Sequence, residues 1–218
     1  MSVPLNEKFS IILSLIKTPG LLSALISFKH SGYLVDTGWI KSFVKKQPLD
    51  KDDNPVPWIT LPCIEFLKDR INNKITVFEF GAGNSTLFFA GRANKIVSVE
   101  HNQYWFDKIK NILPLNTELI FHDVNSEYYT IPAVTQQKYD IIFVDAEKRN
   151  ECLVNSIRSL TDSGVLILDD SEREEYGYSV NFIKEKGFKE LVFWGISPGY
   201  SYTKSTTIFY RTQNCLNI

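Results

Sequence analysis

The sequence predicts an α/β fold: a doubly wound, mainly parallel sheet of about seven strands, with a C-terminal antiparallel hairpin and an N-terminal helical extension. Three observations carry that prediction. From Trp58 onward, short apolar runs alternate with segments of helical period. Several runs, such as Ile141-Ile142-Phe143-Val144, are apolar at every position, as expected of strands covered on both faces. The last two runs are joined by a turn-rich loop, Ile196 to Ser205, with no helical segment between them. That spacing implies a hairpin rather than a crossover.

Length and composition set the frame. The chain has 218 residues, of which 44% are hydrophobic and 22% charged, which suits one sizeable core with a small extension. Cys63, Cys152 and Cys215 are widely spaced, with no CxxC pair or Cys/His cluster. Neither structural zinc nor a disulfide framework is expected, and reduced thiols point to the cytoplasm. A net charge of -1 gives no broad electrostatic basis for binding nucleic acid, so no nucleic-acid partner is expected.

Residues 1–56 read as the helical and loop-rich extension, and 57–218 as the main domain. Ile11–Ile16 and Leu21–Phe28 are apolar, but Lys17, Pro19 and Gly20 interrupt them. Neither reaches the ~20 residues that span a bilayer. Two short amphipathic helices are expected there, covering the core, forming a homodimer face or resting on a membrane surface. Gln47–Pro57 holds three prolines and Asp50, Asp52 and Asp53, and reads as an extended connector.

The elements of the main domain follow in order. Ile64–Ile71 is a helix with Ile64, Leu67 and Ile71 on one face. Ile75–Phe80 is a strand, Gly81–Ser85 a turn and Thr86–Ala93 a helix. Lys95–Glu100 is a strand, Gln103–Leu113 a helix and Glu118–His122 a strand. Tyr139–Asp145 is a strand, Glu151–Leu160 a helix, Gly164–Asp169 a strand and Ser179–Lys186 a helix. Lys189–Gly195 and Thr206–Arg211 form the closing hairpin.

Ligands in such sheets sit at the carboxyl ends of the strands. At the first strand end stands Glu79-Phe80-Gly81-Ala82-Gly83-Asn84-Ser85-Thr86. Its glycines permit a tight turn and close approach of a ligand to the backbone. Asn84 and Ser85 add polar groups at the helix start. Glu100 ends the next strand, about 20 residues on, where a carboxylate accepts hydrogen bonds from ribose hydroxyls. His101 adjoins it. Asp123, after the third strand, either reaches an adenine amine or caps its own loop.

A dinucleotide fingerprint wants a third glycine, and Thr86 stands there instead. Glu79 would repel a pyrophosphate and attract an ammonium group. Both points favour S-adenosylmethionine over NAD. The rival readings are an NAD-dependent or nucleotide-sugar oxidoreductase and a non-catalytic nucleoside-binding module.

Residues 58–211 resemble the class I S-adenosylmethionine-dependent methyltransferases, whose fold is Rossmann-like. The resemblance rests on Glu79-Phe80-Gly81-Ala82-Gly83, Glu100, Asp140 to Asp145, Gly164 to Asp170 and the terminal hairpin. Within that superfamily, Pro57-Trp58-Ile59-Thr60, Gly83 to Thr86 and Thr206 to Arg211 are similar to a bacterial branch associated with surface-glycan pathways. The resemblance implies methyl transfer to a small-molecule or glycan acceptor, at oxygen.

Asp145, Asp169 and Asp170 end neighbouring strands, so three carboxylates are expected to converge, a set that suits Mg²⁺. The pattern is similar to catechol O-methyltransferases, with Asp170 where that family has asparagine. That resemblance implies Asp145, Asp169 and Asp170 as metal ligands and Lys148, three residues past Asp145, as the base. Arg149 and Arg173 are alternatively a grip for an anionic substrate. The aromatics Tyr33, Trp39, Trp58, Trp194, Tyr200 and Tyr202 either line a substrate pocket or pack the extension onto the domain. Gly199 to Ser205 is a candidate mobile lid.

Overall fold

A computed structural model of the chain describes residues 4–218; the first three residues of the predicted extension lie outside the described residues. Seven strands, β1 (Thr76–Phe80), β2 (Lys95–Glu100), β3 (Thr117–Phe121), β4 (Tyr139–Val144), β5 (Leu160–Asp169), β6 (Lys189–Gly195) and β7 (Lys204–Tyr210), form one sheet. Their order is β3-β2-β1-β4-β5-β7-β6. The first five are parallel, and β7 runs antiparallel to both β5 and β6. Strand order reverses between β1 and β4, which is the switch point where doubly wound sheets bind ligands.

The all-apolar strands feed two cores at once. Val77, Ile141, Phe143, Val165 and Ile167 point to one face, and Phe78, Phe80, Ile142, Val144, Leu166 and Leu168 to the other. The two-residue period of a strand divides each continuous apolar run between both faces. On the first face pack α5 (Leu61–Lys68) and α6 (Asn84–Ala90), through residues such as Leu67 and Phe89. On the second pack α9 (Arg149–Ser156) and α10 (Gly177–Glu185), through Cys152, Leu153 and Ile183. Phe78 meets Phe80 and Tyr139 edge-on at 4.9 and 5.2 Å. Each such pair adds about 0.5–1.5 kcal/mol beyond area burial.

Two further helices complete the main domain, α7 (Gln103–Ile109) and the short α8 (Ile131–Val134). The sequence reading does not contain α8, whose four residues are too few for a periodic signal. Helix bounds shift by a few residues from expectation. The α5 helix starts at Leu61 because Pro62 suits a first turn, where its missing N–H costs nothing. Conversely, β7 begins two residues earlier than expected, at Lys204.

The extension contains α1 (Leu5–Lys17), α2 (Pro19–Ser27), α3 (Tyr33–Asp36) and α4 (Trp39–Lys45). Its two halves behave differently. From α4 onward the chain packs on the domain. Ser42 Oγ donates to Leu49 O at 2.8 Å and accepts from Leu49 N at 2.9 Å, which closes the connector back on α4. Gly38 is required at the crossing, since a Cβ there would lie 2.3 Å from the Asp50 backbone. By contrast, α2 buries no residue, and Ile11, Ile12, Leu13 and Ile16 of α1 stand in solvent. Of the three alternatives for these helices, covering the core is not what the structure shows, since α2 buries nothing. Among the described residues no single helix is long and apolar enough to cross a membrane.

Candidate functional site

The carboxyl ends of β1, β2 and β4 open into a cavity of about 770 Å³. That size falls in the ordinary range for a small-molecule or cofactor site. Gly81, Ala82 and Gly83 form one wall, Glu79, Glu100 and Asp145 supply carboxylates, and Lys46 to Leu49 close the outer side.

Backbone geometry fixes the turn. Gly81 has φ +94°, and a Cβ there would lie 2.7 Å from the carbonyl oxygen of Asp145. Its N–H donates to Val99 O at 2.9 Å, tying the turn to β2. Thr86 Oγ1 accepts from Gly83 N at 2.9 Å and donates to Glu79 Oε2 at 2.6 Å. Thr86 thus braces the turn at the position where a dinucleotide fingerprint has its third glycine.

Glu79 lies beneath the turn, 1% exposed. Its Oε2 also accepts from Ser98 Oγ at 2.7 Å, Oε1 is buried without a hydrogen-bond partner, and the residue is among those lining the cavity. Burial pushes the Glu79 carboxyl up to about 7, against the hydrogen bonds from Thr86 and Ser98 that favour its ionised form. Glu100 is held by backbone groups: Ala82 N donates to Oε2 at 2.9 Å and Asn102 N to Oε1 at 2.6 Å. A carboxylate has about four acceptor sites, so two remain for a ligand. Asn84 lines the cavity and donates through Nδ2 to Pro48 O at 2.8 Å, so it anchors the connector. Ser85 and His101 line the cavity too, and His101 packs edge-on against Tyr128.

Asp145, Asp169 and Asp170 do converge, as expected, but three cations meet them. Arg149 donates to Asp145 Oδ1 at 2.9 Å, to Asp170 Oδ2 at 3.1 Å and to the Asp169 carbonyl at 2.6 Å. Lys204 Nζ lies 2.5 Å from both Asp169 Oδ2 and Asp170 Oδ1. Arg173 bonds Asp170 Oδ2 at 2.5 Å. Three carboxylates therefore face three fixed cations. The metal expectation is corrected on this ground: the donor set is already neutralised, and the described residues contain no cluster suited to a metal ion. The anion-grip alternative fails for Arg149 as well, because its guanidinium is spent on the strand ends.

The charges shift one another. Burial raises Asp145, although Arg149 pulls it down. Burial and Asp145 raise Asp169, partly offset by Lys204. Burial alone would raise Asp170, yet Lys204, Arg149 and Arg173 hold it below the usual carboxylate range. Lys204 itself is lowered by burial and raised more by Asp169 and Asp170.

Other expected site residues fall elsewhere. Asp123 accepts from Asn125 N at 2.7 Å and caps its own loop; it is not in the cavity wall. Lys148 faces a separate cleft of about 270 Å³, which shares Ala146 with the main cavity. It precedes α9 in a left-handed conformation, φ 50°, and is not among the residues lining the large cavity. The candidate lid segment is tied down at its start. Trp58 Nε1 donates to Pro198 O at 2.7 Å and Trp39 Nε1 to Tyr200 O at 2.8 Å. Gly199, at φ +75°, lies against the backbone of Ser42 and Phe43. These aromatics clamp the loop to the extension, and Trp58 lines the main cavity as well, so both alternatives meet in it.

Three site features escaped the sequence reading. Trp105, with Lys108 over its ring at 4.3 Å, forms the side of the cavity next to Glu100. An aromatic early in the helix after β2 is a faint signal of that wall. Lys204 carries a better one, as the single charge opening a strand of hydroxyl and apolar residues. Lys46 to Leu49 gave none, since only folding brings the connector over the turn.

The fold is that of the class I S-adenosylmethionine-dependent methyltransferases, as comparison with solved structures shows. A Staphylococcus aureus protein provisionally named a caffeoyl-CoA O-methyltransferase is 17% identical, with a TM-score of 0.55 over 95% of this chain and 100% of that one. An rRNA methylase of Streptococcus thermophilus is 15% identical, with a TM-score of 0.52 over 67% and 92% of the two chains. A Streptococcus mutans protein, provisionally named a methyltransferase and solved with S-adenosylhomocysteine, is 15% identical, with a TM-score of 0.50 over 67% and 94%. No family model and no curated protein sequence matches the chain. The rRNA methylase corrects the exclusion of nucleic acid drawn from net charge. A total charge sums over the whole surface and does not limit what one face can bind.

Proposed function

We propose that the protein is a methyltransferase that uses S-adenosylmethionine to methylate a hydroxyl oxygen of a small molecule or glycan in the cytoplasm. The observation that carries this reading is the cavity at the switch point. It joins the Gly81–Gly83 turn to Glu100 and to the unpartnered Oε1 of buried Glu79. Glu79, directly beneath the glycine turn, disfavours a pyrophosphate there, and hence the dinucleotide alternative. Glu79 and Glu100 together suit a ligand with an adenosine, an ammonium group and no phosphate. The free cysteines Cys63, Cys152 and Cys215 are consistent with a reducing compartment.

Bound there, S-adenosylmethionine supplies a methyl group activated by a sulfonium. The chain's residues bind and orient. Glu100 accepts from the ribose hydroxyls, with its carboxylate preset by Ala82 N and Asn102 N. Trp105 flanks the base and Glu79 faces the ammonium. Asp145 borders the cavity beside the turn, where it holds an acceptor hydroxyl and draws its proton. Desolvation, which raises Asp145, makes it the better proton acceptor. Arg149 keeps that carboxylate in place. Lys148, in the neighbouring cleft, acts on the acceptor only if the acceptor extends past Ala146.

Calorimetric titration with S-adenosylhomocysteine, with NAD as control, tests the cofactor. Binding near one per chain with NAD silent is expected. In the Asp145→Ala variant, turnover is expected to disappear while affinity for S-adenosylhomocysteine stays near native. Full turnover in that variant would remove Asp145 from the chemistry.

A further inference from the structure

The cofactor cavity leaves α1 and α2 without a task. Ile11, Ile12, Ile16, Leu21, Leu25 and Ile26 are between 43 and 63% exposed. Large apolar side chains exposed in this number on two successive helices point to an interaction site. We infer that α1 and α2 form an interfacial anchor that docks the protein on an anionic lipid surface.

Length comes first. A helix rises 1.5 Å per residue, so α1 spans about 20 Å and α2 about 14 Å, both short of the ~30 Å hydrocarbon core. The two meet at a bend of 104° near Thr18. Two short helices at a right angle lie along an interface rather than through it.

The distribution of apolar groups argues for lipid over a second copy of the chain. A helix–helix dimer face is a stripe. Here Ile11, Ile12 and Leu13 are consecutive and all exposed, and steps of about 100° spread them over more than half the helix circumference. Moreover, α2 carries no charged residue on any side. Acyl chains accept such an all-round surface, whereas a flat protein partner covers one side of it.

Charge completes the argument. Within residues 4–30 the cations are Lys8, Lys17 and Lys29, and the one acid is Glu7. None of the three lysines forms an ion pair among the described residues. Lys17 stands at the bend and Lys29 just past α2, where long stems carry ammonium groups to the lipid headgroups. A lysine beside an anionic leaflet strengthens binding about fivefold.

The test is flotation of the full chain with vesicles. Native protein is expected to float with equimolar phosphatidylglycerol and phosphatidylcholine and to stay behind with phosphatidylcholine alone. Lys17→Glu with Lys29→Glu is expected to weaken binding at least about twentyfold. Ile12→Glu with Leu25→Glu is expected to abolish it. Both double variants should keep the native far-ultraviolet spectrum and unfolding midpoint, since neither pair is buried in the domain. Equal flotation with neutral vesicles would overturn the anionic assignment. No flotation of native protein would overturn the anchor altogether, and a dimer that the Ile12/Leu25 variant dissociates would give the face to a second copy.

Discussion

Replacing Lys204 with methionine tests the charge network most directly. Methionine matches the lysine stem in length and removes only the ammonium. Asp169, 1% exposed, would keep Thr206 Oγ1 at 2.9 Å and lose its cation. Asp170 would keep Arg149 and Arg173. Breaking a buried pair from one side costs about 3–5 kcal/mol, because the remaining charge is left desolvated. For a chain of this length, each kcal/mol moves the midpoint by about 2–4 °C, so a fall of about 6–20 °C is expected in calorimetry. The deficit carries a pH signature. Without Lys204, the folded-state pKa of Asp169 rises further above its unfolded value. The folded state then takes up a proton before the unfolded state does, and the variant regains stability as pH falls. The gap to native protein is therefore wider at about pH 8 than at about pH 5. Neither Mg²⁺ nor EDTA should move the native midpoint, since Lys204 already neutralises those carboxylates. An unchanged midpoint, or a deficit constant across that pH range, would refute the account of Lys204 as an internal counter-ion.

Two further outcomes follow from the cavity. Glu79 is raised to about 7 by burial. An ammonium ligand favours its ionised form, so affinity for S-adenosylhomocysteine should rise as pH increases towards 7 and level off above it. The expected slope is up to about tenfold per pH unit below 7, and Glu79→Gln should flatten it. Affinity that does not change with pH in the native protein would place the ammonium elsewhere. Gly81→Ala should abolish that binding in a chain that still folds, because its Cβ would meet the Asp145 carbonyl at 2.7 Å and the left-handed φ disfavours alanine. Native affinity in the alanine variant would show that the turn has room to relax.

Much of the fold was legible because strands in a two-faced sheet announce themselves. Ile141 to Val144 and Val165 to Leu168 are apolar at each position, and both faces needed them. The glycine turn and Glu100 were legible because they follow strand ends directly. Convergence of Asp145 with Asp169 and Asp170 was legible too, since β4 and β5 are neighbours in parallel register. Their occupant was not. Lys204 comes from β7, which is antiparallel to β5, so its arrival beside Asp169 depends on a register that local pattern does not encode. Lys148 lines the neighbouring cleft that begins at Ala146, a placement that the spacing from Asp145 does not encode. Net charge misled for a simpler reason: it averages away the local surfaces on which an acceptor is chosen.

The division of the chain at residues 56 and 57 deserves the same scrutiny, because it passes through the candidate site. Pro48 and Leu49 belong to the extension in sequence and to the cavity wall in space. Asn84, at the glycine turn, bonds Pro48 O, and the loop after β6 is pinned by Trp39. Leu49 and Val56 are themselves buried, and exposing each costs about 1.5–3 kcal/mol. A chain beginning at Pro57 should therefore lose stability and bind S-adenosylhomocysteine more than tenfold more weakly. A chain beginning at Ser31 loses only α1 and α2, whose exposed apolar surface contributes nothing to the domain, and should match the native midpoint and affinity while failing to float with anionic vesicles. If the Ser31 chain melted early, those helices would be packed on the body. If the Pro57 chain bound as tightly as native, the outer wall would be dispensable and the cofactor would rest on the strand ends alone.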